Sequence, residues 1–464
     1  MKYSIRDIDR SVFRAYDIRG VIGEQLDESA YYTIGRAIAT RLFQLQRNHI
    51  YIARDGRLTS NGLADACIAG LIDGGIQVVD LGLAPTPVMY FATYTDDTID
   101  SGVMITGSHN PANYNGIKMV LAGKTLVQED IELLYQLVVQ QQFVEAKQAS
   151  CIQRDRLMEY IARITSDLRL ARSLKVVVDC GNGVAGVTVP SVLQQLGCEV
   201  IPLYCDVDGR FPHHHPDPSV LENLVDLQQA VAHHQADIGL AFDGDGDRLG
   251  VVTDTGEVIW PDRIMMYYAQ HLLAEAPGAT IVFDVKCSSQ LTQVIEASGG
   301  VAHMCPTGHS IVKAVMKESK AELAGEMSGH LFFKHRWYGF DDALYSACRL
   351  LEWISRSEAS VHQQFSLIPD SVNTPEIKIP IPDEHKFSFM RDFCENAAFP
   401  AAEIIRMDGL RVEFESGWGL IRASNTTPCL VARFEAIDEA TLQYIKDLFK
   451  QELQKLNTGL QLPF

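Results

Sequence analysis

The chain repeatedly runs a short apolar stretch into a loop of Gly, Ser, Asp or Asn, and then into a segment with helical spacing. This alternation constrains the fold most, because strand, loop and helix in turn predict a largely parallel sheet covered by helices. Ile50–Ala53 reads as a strand and Asp55-Gly56 as the turn after it. Leu63, Cys67, Ile68, Leu71 and Ile72 then share one helical face, with Thr59 or Ser60 as cap and Gly74-Gly75 as the stop. Gln77–Leu81 is the next strand, and Thr86-Pro87 reads as an N-cap with proline at the first helical position. Val103-Met104-Ile105 runs into Thr106-Gly107-Ser108-His109-Asn110-Pro111. Asn115-Gly116 is a turn signal before the strand Ile117–Val120, and Ile131, Leu134, Tyr135 and Val138 give a closing helix.

The rhythm continues beyond a small, polar linker at Ala146–Cys151. Lys175–Asp179 is a strand followed by Gly181-Asn182-Gly183-Val184-Ala185-Gly186, and Ile238–Phe242 and Leu249–Thr253 flank Asp243-Gly244-Asp245-Gly246-Asp247-Arg248. In the third stretch Thr280–Val285 leads to a helix start at Ser288-Ser289. Thr307-Gly308-His309-Ser310 precedes another helix, and Ala321–Ala324 enters the loop at Gly325-Glu326. The pattern then changes. Glu376–Ile379, Leu410–Phe414, Gly419–Arg422 and Leu430–Phe434 are short alternating strands, and Leu442, Ile445, Leu448, Phe449 and Leu453 share a helix face. That predicts an antiparallel α+β domain after a hinge at Pro369–Pro375. A length of 464 residues suits about three or four domains. The expected boundaries are 1–153, 154–256, 257–370 and 371–464.

Two loops carry chemistry. Ser108 and His109 lie where a strand delivers its C-terminal end, the place where open α/β sheets bind ligands. Asp243, Asp245 and Asp247 alternate with glycines, so their carboxylates can converge on one hard cation such as Mg²⁺ or Ca²⁺. An EF-hand fails on spacing: counted from Asp243, Arg248 stands where that loop needs Gly, and Asp254 where it needs Glu. A serine nucleophile, a metal loop and an arginine together point to phosphoryl transfer.

Composition narrows the partners. Acidic residues outnumber basic ones, 59 to 40, for a net charge of −19, which disfavours nucleic acid and anionic membranes. The ten cysteines are scattered, as in a protein that keeps its thiols reduced. Met1–Arg10 is charged and unlike a signal peptide, and no apolar run is long enough to cross a bilayer. A cytoplasmic protein is expected.

Thr106–Pro111, Asp243–Arg248, Gly325-Glu326-Met327-Ser328-Gly329-His330 and Arg422-Ala423-Ser424-Asn425-Thr426-Thr427 resemble, in order and separation, the four signature loops of the α-D-phosphohexomutases. The bacterial phosphomannomutase/phosphoglucomutase group is the nearest likeness, and it covers the whole chain. The resemblance implies three related α/β domains with mixed, largely parallel sheets, plus a C-terminal antiparallel α+β domain. It also implies a phosphoprotein isomerase of carbohydrate metabolism that interconverts hexose 1-phosphate and hexose 6-phosphate (mannose and glucose). The route is through phosphoserine 108 and a hexose 1,6-bisphosphate, which also serves as activator, and a monomer is expected. By the same likeness Asp243, Asp245 and Asp247 hold Mg²⁺ together with a phosphoserine oxygen at Ser108, and Arg248 and His109 flank that group. Lys118 is the expected general base, a role that needs a depressed pKa. Glu326 and Ser328 would bind sugar hydroxyls, with His309 and His330 beside them. Arg422, Ser424, Asn425 and Thr426 would bind the non-reacting phosphate. Tyr16, Arg19 and Lys286 would complete the wall.

Three rivals stand beside this reading. Phosphoglucosamine mutase, of the same family, typically has Gln where Met327 stands and Ala where Gly107 stands. Gly181–Gly186 is a literal G-x-G-x-x-G with Asp206 about twenty residues on, as an NAD-binding dehydrogenase would have. A non-catalytic phosphosugar-binding protein would keep the loops without turnover. His213-His214-His215-Pro216-Asp217-Pro218 could suggest a metal tract, but its prolines favour an extended structural loop.

Overall fold

The computed structural model describes residues 2–425, 427–457 and 459–464. Its chain packs as two compact units, Met1–Pro261 with Ser328–Ser366, and Asp262–Met327 with Leu367–Phe464. Four α/β domains lie along the chain, and the third contributes residues to both units.

The first sheet runs in the order Ile18–Val21, Tyr114–Leu121, Gly102–Ile105, His49–Arg54, Gln77–Leu83, Cys151–Gln153. The last four strands are mutually parallel, and Tyr114–Leu121 is antiparallel to both of its neighbours. Burial on both faces explains why Val103–Ile105 and Ile50–Ala53, within the strands Gly102–Ile105 and His49–Arg54, read as continuous apolar runs. The second sheet has the order Val258–Ile259, Leu249–Thr253, Ile238–Phe242, Lys175–Asp179, Glu199–Leu203. Here the Ile238–Phe242/Leu249–Thr253 pair is an antiparallel hairpin with the Asp-Gly-Asp-Gly-Asp loop at its tip.

In the other unit Val301–Cys305, Thr280–Asp284 and Leu323–Gly325 are parallel neighbours. The fourth sheet is antiparallel throughout, with Cys429–Ala436 and Gly417–Ala423 at its centre. Phe393, Phe434, Phe449 and Leu453 fill the core between this sheet and the helices Asp383–Asn396 and Glu439–Leu456. Among the described residues no helix is long and apolar enough to cross a membrane.

Several local expectations are corrected. Asn115-Gly116 is not a turn; both residues lie inside the strand Tyr114–Leu121, where pairing with Arg19 and Gly20 overrides their turn preference. Thr86 is not an N-cap: the helix is Thr86–Thr95 and Pro85 holds the cap position. The linker ends in a strand, Cys151–Gln153, that extends the first sheet. Part of the hinge, Val372–Asn373, pairs with Glu435 and Ala436. The helix Asp383–Asn396, with a weakly amphipathic sequence, has no counterpart in the sequence reading.

Candidate active site

Within the first unit the serine loop leaves the strand Gly102–Ile105 and turns at once. Ser108 is buried, with φ of 48°, a left-handed conformation that a non-glycine residue adopts only when its surroundings impose it. Those surroundings are specific. Thr106 Oγ1 accepts from Ser108 N at 2.8 Å and donates to Asp55 Oδ2 at 2.8 Å. Asp55 also accepts from Gly107 N at 3.1 Å, Arg57 N at 3.1 Å and Ser60 Oγ at 2.5 Å.

Arg57, buried and ion-paired to Asp55 at 3.2 Å, donates to the loop's carbonyls: Ser108 O at 2.7 Å, Asn110 O at 2.6 Å, Pro111 O at 2.6 Å and Tyr114 O at 3.1 Å. A Cβ on Gly107 would lie 2.4 Å from Arg57 Cζ, so glycine is required there by the guanidinium beneath it. Sequence reading missed Arg57 altogether and saw Asp55 only as part of a turn after a strand.

Ser108 Oγ donates to Asp243 Oδ2 at 3.0 Å and lies 3.2 Å from His109 Nδ1. The aspartate loop is fully buried and shaped by its first member: Asp243 Oδ1 accepts from the backbone N–H groups of Gly246, Asp247 and Arg248 at 3.1, 3.0 and 3.1 Å. Gly246, at φ of +77°, allows the chain to curl back in this way. Asp245 Oδ2 accepts from Thr86 Oγ1 at 2.6 Å and from Lys118 Nζ at 2.7 Å, and Lys118 also pairs with Asp247. Thr86 is thus a second residue that sequence reading assigned to the wrong task.

The three carboxylates fit a cation. Each offers an oxygen, and these oxygens lie within 4.8 Å of one another. Among the described residues, the buried Oδ1 atoms of Asp245 and Asp247 accept no hydrogen bond. Burial and the neighbouring Asp245 and Asp247 push the Asp243 carboxyl well above its ordinary range, the mark of negative charge crowded without enough compensation. Asp247 goes the other way, because Lys118 and His330 outweigh its burial.

Lys118 departs from expectation. Burial alone would lower the pKa of its ammonium, but Asp245 and Asp247 outweigh burial and hold it well above its ordinary value. A general base needs the opposite shift, and the carboxylates that raise Lys118 are two of the three that fit a cation. His109 is held well below the ordinary imidazole range by enclosure and then by Arg248, Arg19, His330 and Lys118, which places those groups around it. Arg19 pairs with Asp17 at 2.6 Å, and Tyr16 sits half-buried on the same segment. Arg248 Nε donates to His330 Nε2 at 3.4 Å, His330 lies 3.4 Å from Asp247 Oδ1, and Ser328 Oγ is 2.8 Å from His330 Nδ1. Ser328 and His330 therefore belong beside the aspartate loop.

The second unit holds the remaining predicted residues. Glu326 is buried and its Oε1 accepts from Gly308 N at 2.6 Å, next to His309 at the start of the helix His309–Ser319. Asp284 accepts from Met327 N at 3.0 Å and from Thr307 Oγ1 at 2.8 Å, tying the two loops together. Lys286 Nζ donates to Glu376 at 2.6 Å and lies 3.7 Å from Asp284. Arg422 pairs with Asp408 at 2.9 Å, and Asp408 also accepts from Thr307 N at 3.1 Å. Ser424 Oγ is 2.7 Å from Thr427 Oγ1, and Asn425 is half-buried in the same turn. Thr426 lies outside the described residues.

The histidine tract is structural: His213 Nδ1 lies 2.7 Å from Asn182 Oδ1, and His214 Nε2 lies 3.0 Å from Asp179. The dinucleotide signature also dissolves into packing. A Cβ on Gly183 would lie 2.9 Å from the Gly244 backbone, and one on Gly186 would lie 1.9 Å from Cys205 O.

Comparison with known proteins agrees with the geometry. Four family profiles match in sequence: phosphoglucomutase/phosphomannomutase α/β/α domain I over residues 10–145, domain II over 157–256, domain III over 260–371 and the C-terminal domain over 376–452. A phosphomannomutase/phosphoglucomutase of Pseudomonas putida is 51% identical over 454 residues, covering 98% of each chain. A phosphoglucomutase of Neisseria meningitidis is 47% identical over 451 residues, covering 97% of this chain and 98% of the other. The crystal structure of a phosphoglucomutase/phosphomannomutase family protein from Burkholderia thailandensis superposes with a TM-score of 0.94 at 45% identity, covering 98% of this chain and 100% of that one. Matched along nearly its whole length by sequence and by fold, the chain belongs to the phosphoglucomutase/phosphomannomutase family.

Proposed function

We propose that Ser108 carries the phosphoryl group by which this enzyme interconverts hexose 1-phosphate and hexose 6-phosphate, with mannose and glucose as the sugars. The observation that carries this reading is Ser108 Oγ, held 3.0 Å from Asp243 Oδ2 on a loop pinned in a left-handed turn. Phosphoserine 108 gives its phosphoryl group to the free sugar hydroxyl; the serine O–P bond breaks, the sugar O–P bond forms, and the hydroxyl proton ends on the serine oxygen. The product is a hexose 1,6-bisphosphate. Return of its other phosphate to Ser108 completes the exchange, and trace bisphosphate activates by loading Ser108.

Asp243, Asp245 and Asp247 would hold Mg²⁺, with Ser108 beside them, and the cation would supply charge neutralisation for the transferring group. Arg248 and His109 position phosphoryl oxygens. Lys118, as an ammonium, offsets the charge of Asp245 and Asp247. Glu326 accepts hydrogen bonds from sugar hydroxyls, with Ser328, His309 and His330 as further polar contacts. Arg422, Ser424, Asn425, Thr426 and Lys286 take the phosphate that is not being transferred, and Tyr16 and Arg19 contact the substrate. In this reading the four domains are 1–153, 154–256, 257–370 and 371–464, and each carries one signature loop. The protein is a cytoplasmic monomer.

Phosphorus NMR tests the proposal. With Mg²⁺ and trace hexose 1,6-bisphosphate, α-mannose 1-phosphate and glucose 1-phosphate should both convert to 6-phosphates. Turnover of glucosamine 1-phosphate alone would reassign the sugar, and release of inorganic phosphate alone would reassign the reaction.

A further inference from the structure

Cys180 and Cys205 lie just beyond the ends of two adjacent parallel strands, Lys175–Asp179 and Glu199–Leu203. Their sulfurs lie 3.6 Å apart. Cys180 is fully buried and Cys205 is partly exposed, with its sulfur 3.5 Å from both Val178 O and Leu203 O. Hydrogen bonding to Cys205, and then burial, push the Cys180 thiol well above its ordinary pKa.

The backbone of both cysteines packs against the turn behind the aspartate loop. Cys180 O accepts from Gly183 N at 2.7 Å, and Val184 N donates to Gly244 O at 3.1 Å. On one side Gly183 has no room for a Cβ against Gly244, at 2.9 Å; on the other Gly186 has none against Cys205 O, at 1.9 Å. The Gly181–Gly186 turn is therefore wedged between Cys205 and the loop that bears Asp243, Asp245 and Asp247, and it has no slack.

We propose that Cys180 and Cys205 form a reversible disulfide, a redox modification site that controls the aspartate loop through the Gly181–Gly186 turn. The oxidant is a low-molecular-weight disulfide. Cys205 Sγ, as thiolate, attacks one of its sulfurs, forming a mixed disulfide and releasing one thiol. Cys180 Sγ then displaces the second thiol. Two cysteine thiols are oxidised to one disulfide, the reagent is reduced to two thiols, and the cysteine protons end on them. The sulfurs must close from 3.6 Å to about 2.05 Å. That movement draws on the Cys180 carbonyl and the Cys205 backbone, and the wedged turn passes it to Gly244. The bond itself does not depend on the metal assignment; its effect on turnover does.

The test uses the full chain, incubated with oxidised glutathione and then alkylated. Peptide mapping should find a Cys180–Cys205 link, and phosphohexomutase turnover at limiting Mg²⁺ should fall by roughly tenfold, the scale at which disturbed supports of metal ligands act. Dithiothreitol should restore it. Cys205→Ser should keep its turnover through the same treatment, which separates this pair from the exposed Cys151. Mg²⁺ dependence of the reduced protein is measured in parallel, so that a wrong metal assignment shows there and not in the mapping. Failure of the folded protein to form the link overturns the proposal, and so does a linked protein whose turnover is unchanged.

Discussion

The serine and aspartate loops of one unit and the Lys286/Arg422 region of the other are both dense in charge, but they are built differently. Around Ser108 the contacts are buried and over-determined: Arg57 alone spends its guanidinium on Asp55 and on carbonyls from Ser108 to Tyr114. Around Lys286 and Arg422 the cations pair with carboxylates: Lys286 with Glu376 and Asp284, and Arg422 with Asp408. The difference suits the two tasks proposed for these regions. Transfer to and from one serine needs one fixed geometry. Recognition of a sugar that presents either of its phosphates needs exchangeable partners.

The largest effect should come from removing the fixed point. Ser108→Ala should lower turnover by on the order of 10⁴-fold or more, read by phosphorus NMR, with the fold intact by circular dichroism. Asp245→Asn should cost less, roughly 10- to 100-fold in turnover or Mg²⁺ affinity, and a chelator should produce a loss that added Mg²⁺ reverses. Gly107→Ala should force the new methyl onto Arg57 and destabilise the unit by about 1–3 kcal/mol, seen as a lowered melting temperature. It should depress turnover of mannose and glucose phosphates alike; a switch in sugar preference instead would mean that Gly107 reads the substrate. The smallest effect belongs to the exchangeable region. Glu376→Gln should remove the nearer of the two carboxylates that face Lys286 and lower KM for the phosphosugar by roughly threefold, with kcat little changed.

The same contrast explains what was legible in the sequence. Thr106–Pro111 and Asp243–Arg248 could be read because their chemistry lies in consecutive residues after a strand. Arg57, Asp55 and Thr86 could not, because each is one ordinary residue that meets the site from far along the chain, with Thr86 reaching Asp245 across 159 positions. Asn115-Gly116 has the composition of a turn, yet it forms part of a strand because Arg19 and Gly20 pair with it. Gly181–Gly186 matched a dinucleotide signature because close backbone packing selects glycine as a pyrophosphate does, and only the neighbours Gly244 and Cys205 separate the two causes. Lys118 was recognised as a site residue, but its charge state depends on Asp245 and Asp247, which its own surroundings in the sequence do not contain.

The most direct test of Ser108 as phosphoryl carrier is a single-turnover transfer. Protein loaded with labelled hexose 1,6-bisphosphate and freed of excess ligand should carry the label on Ser108 by peptide mapping, and should pass it to added glucose 1-phosphate as bisphosphate. Label on another residue, or full turnover without any labelled protein, would contradict the assignment.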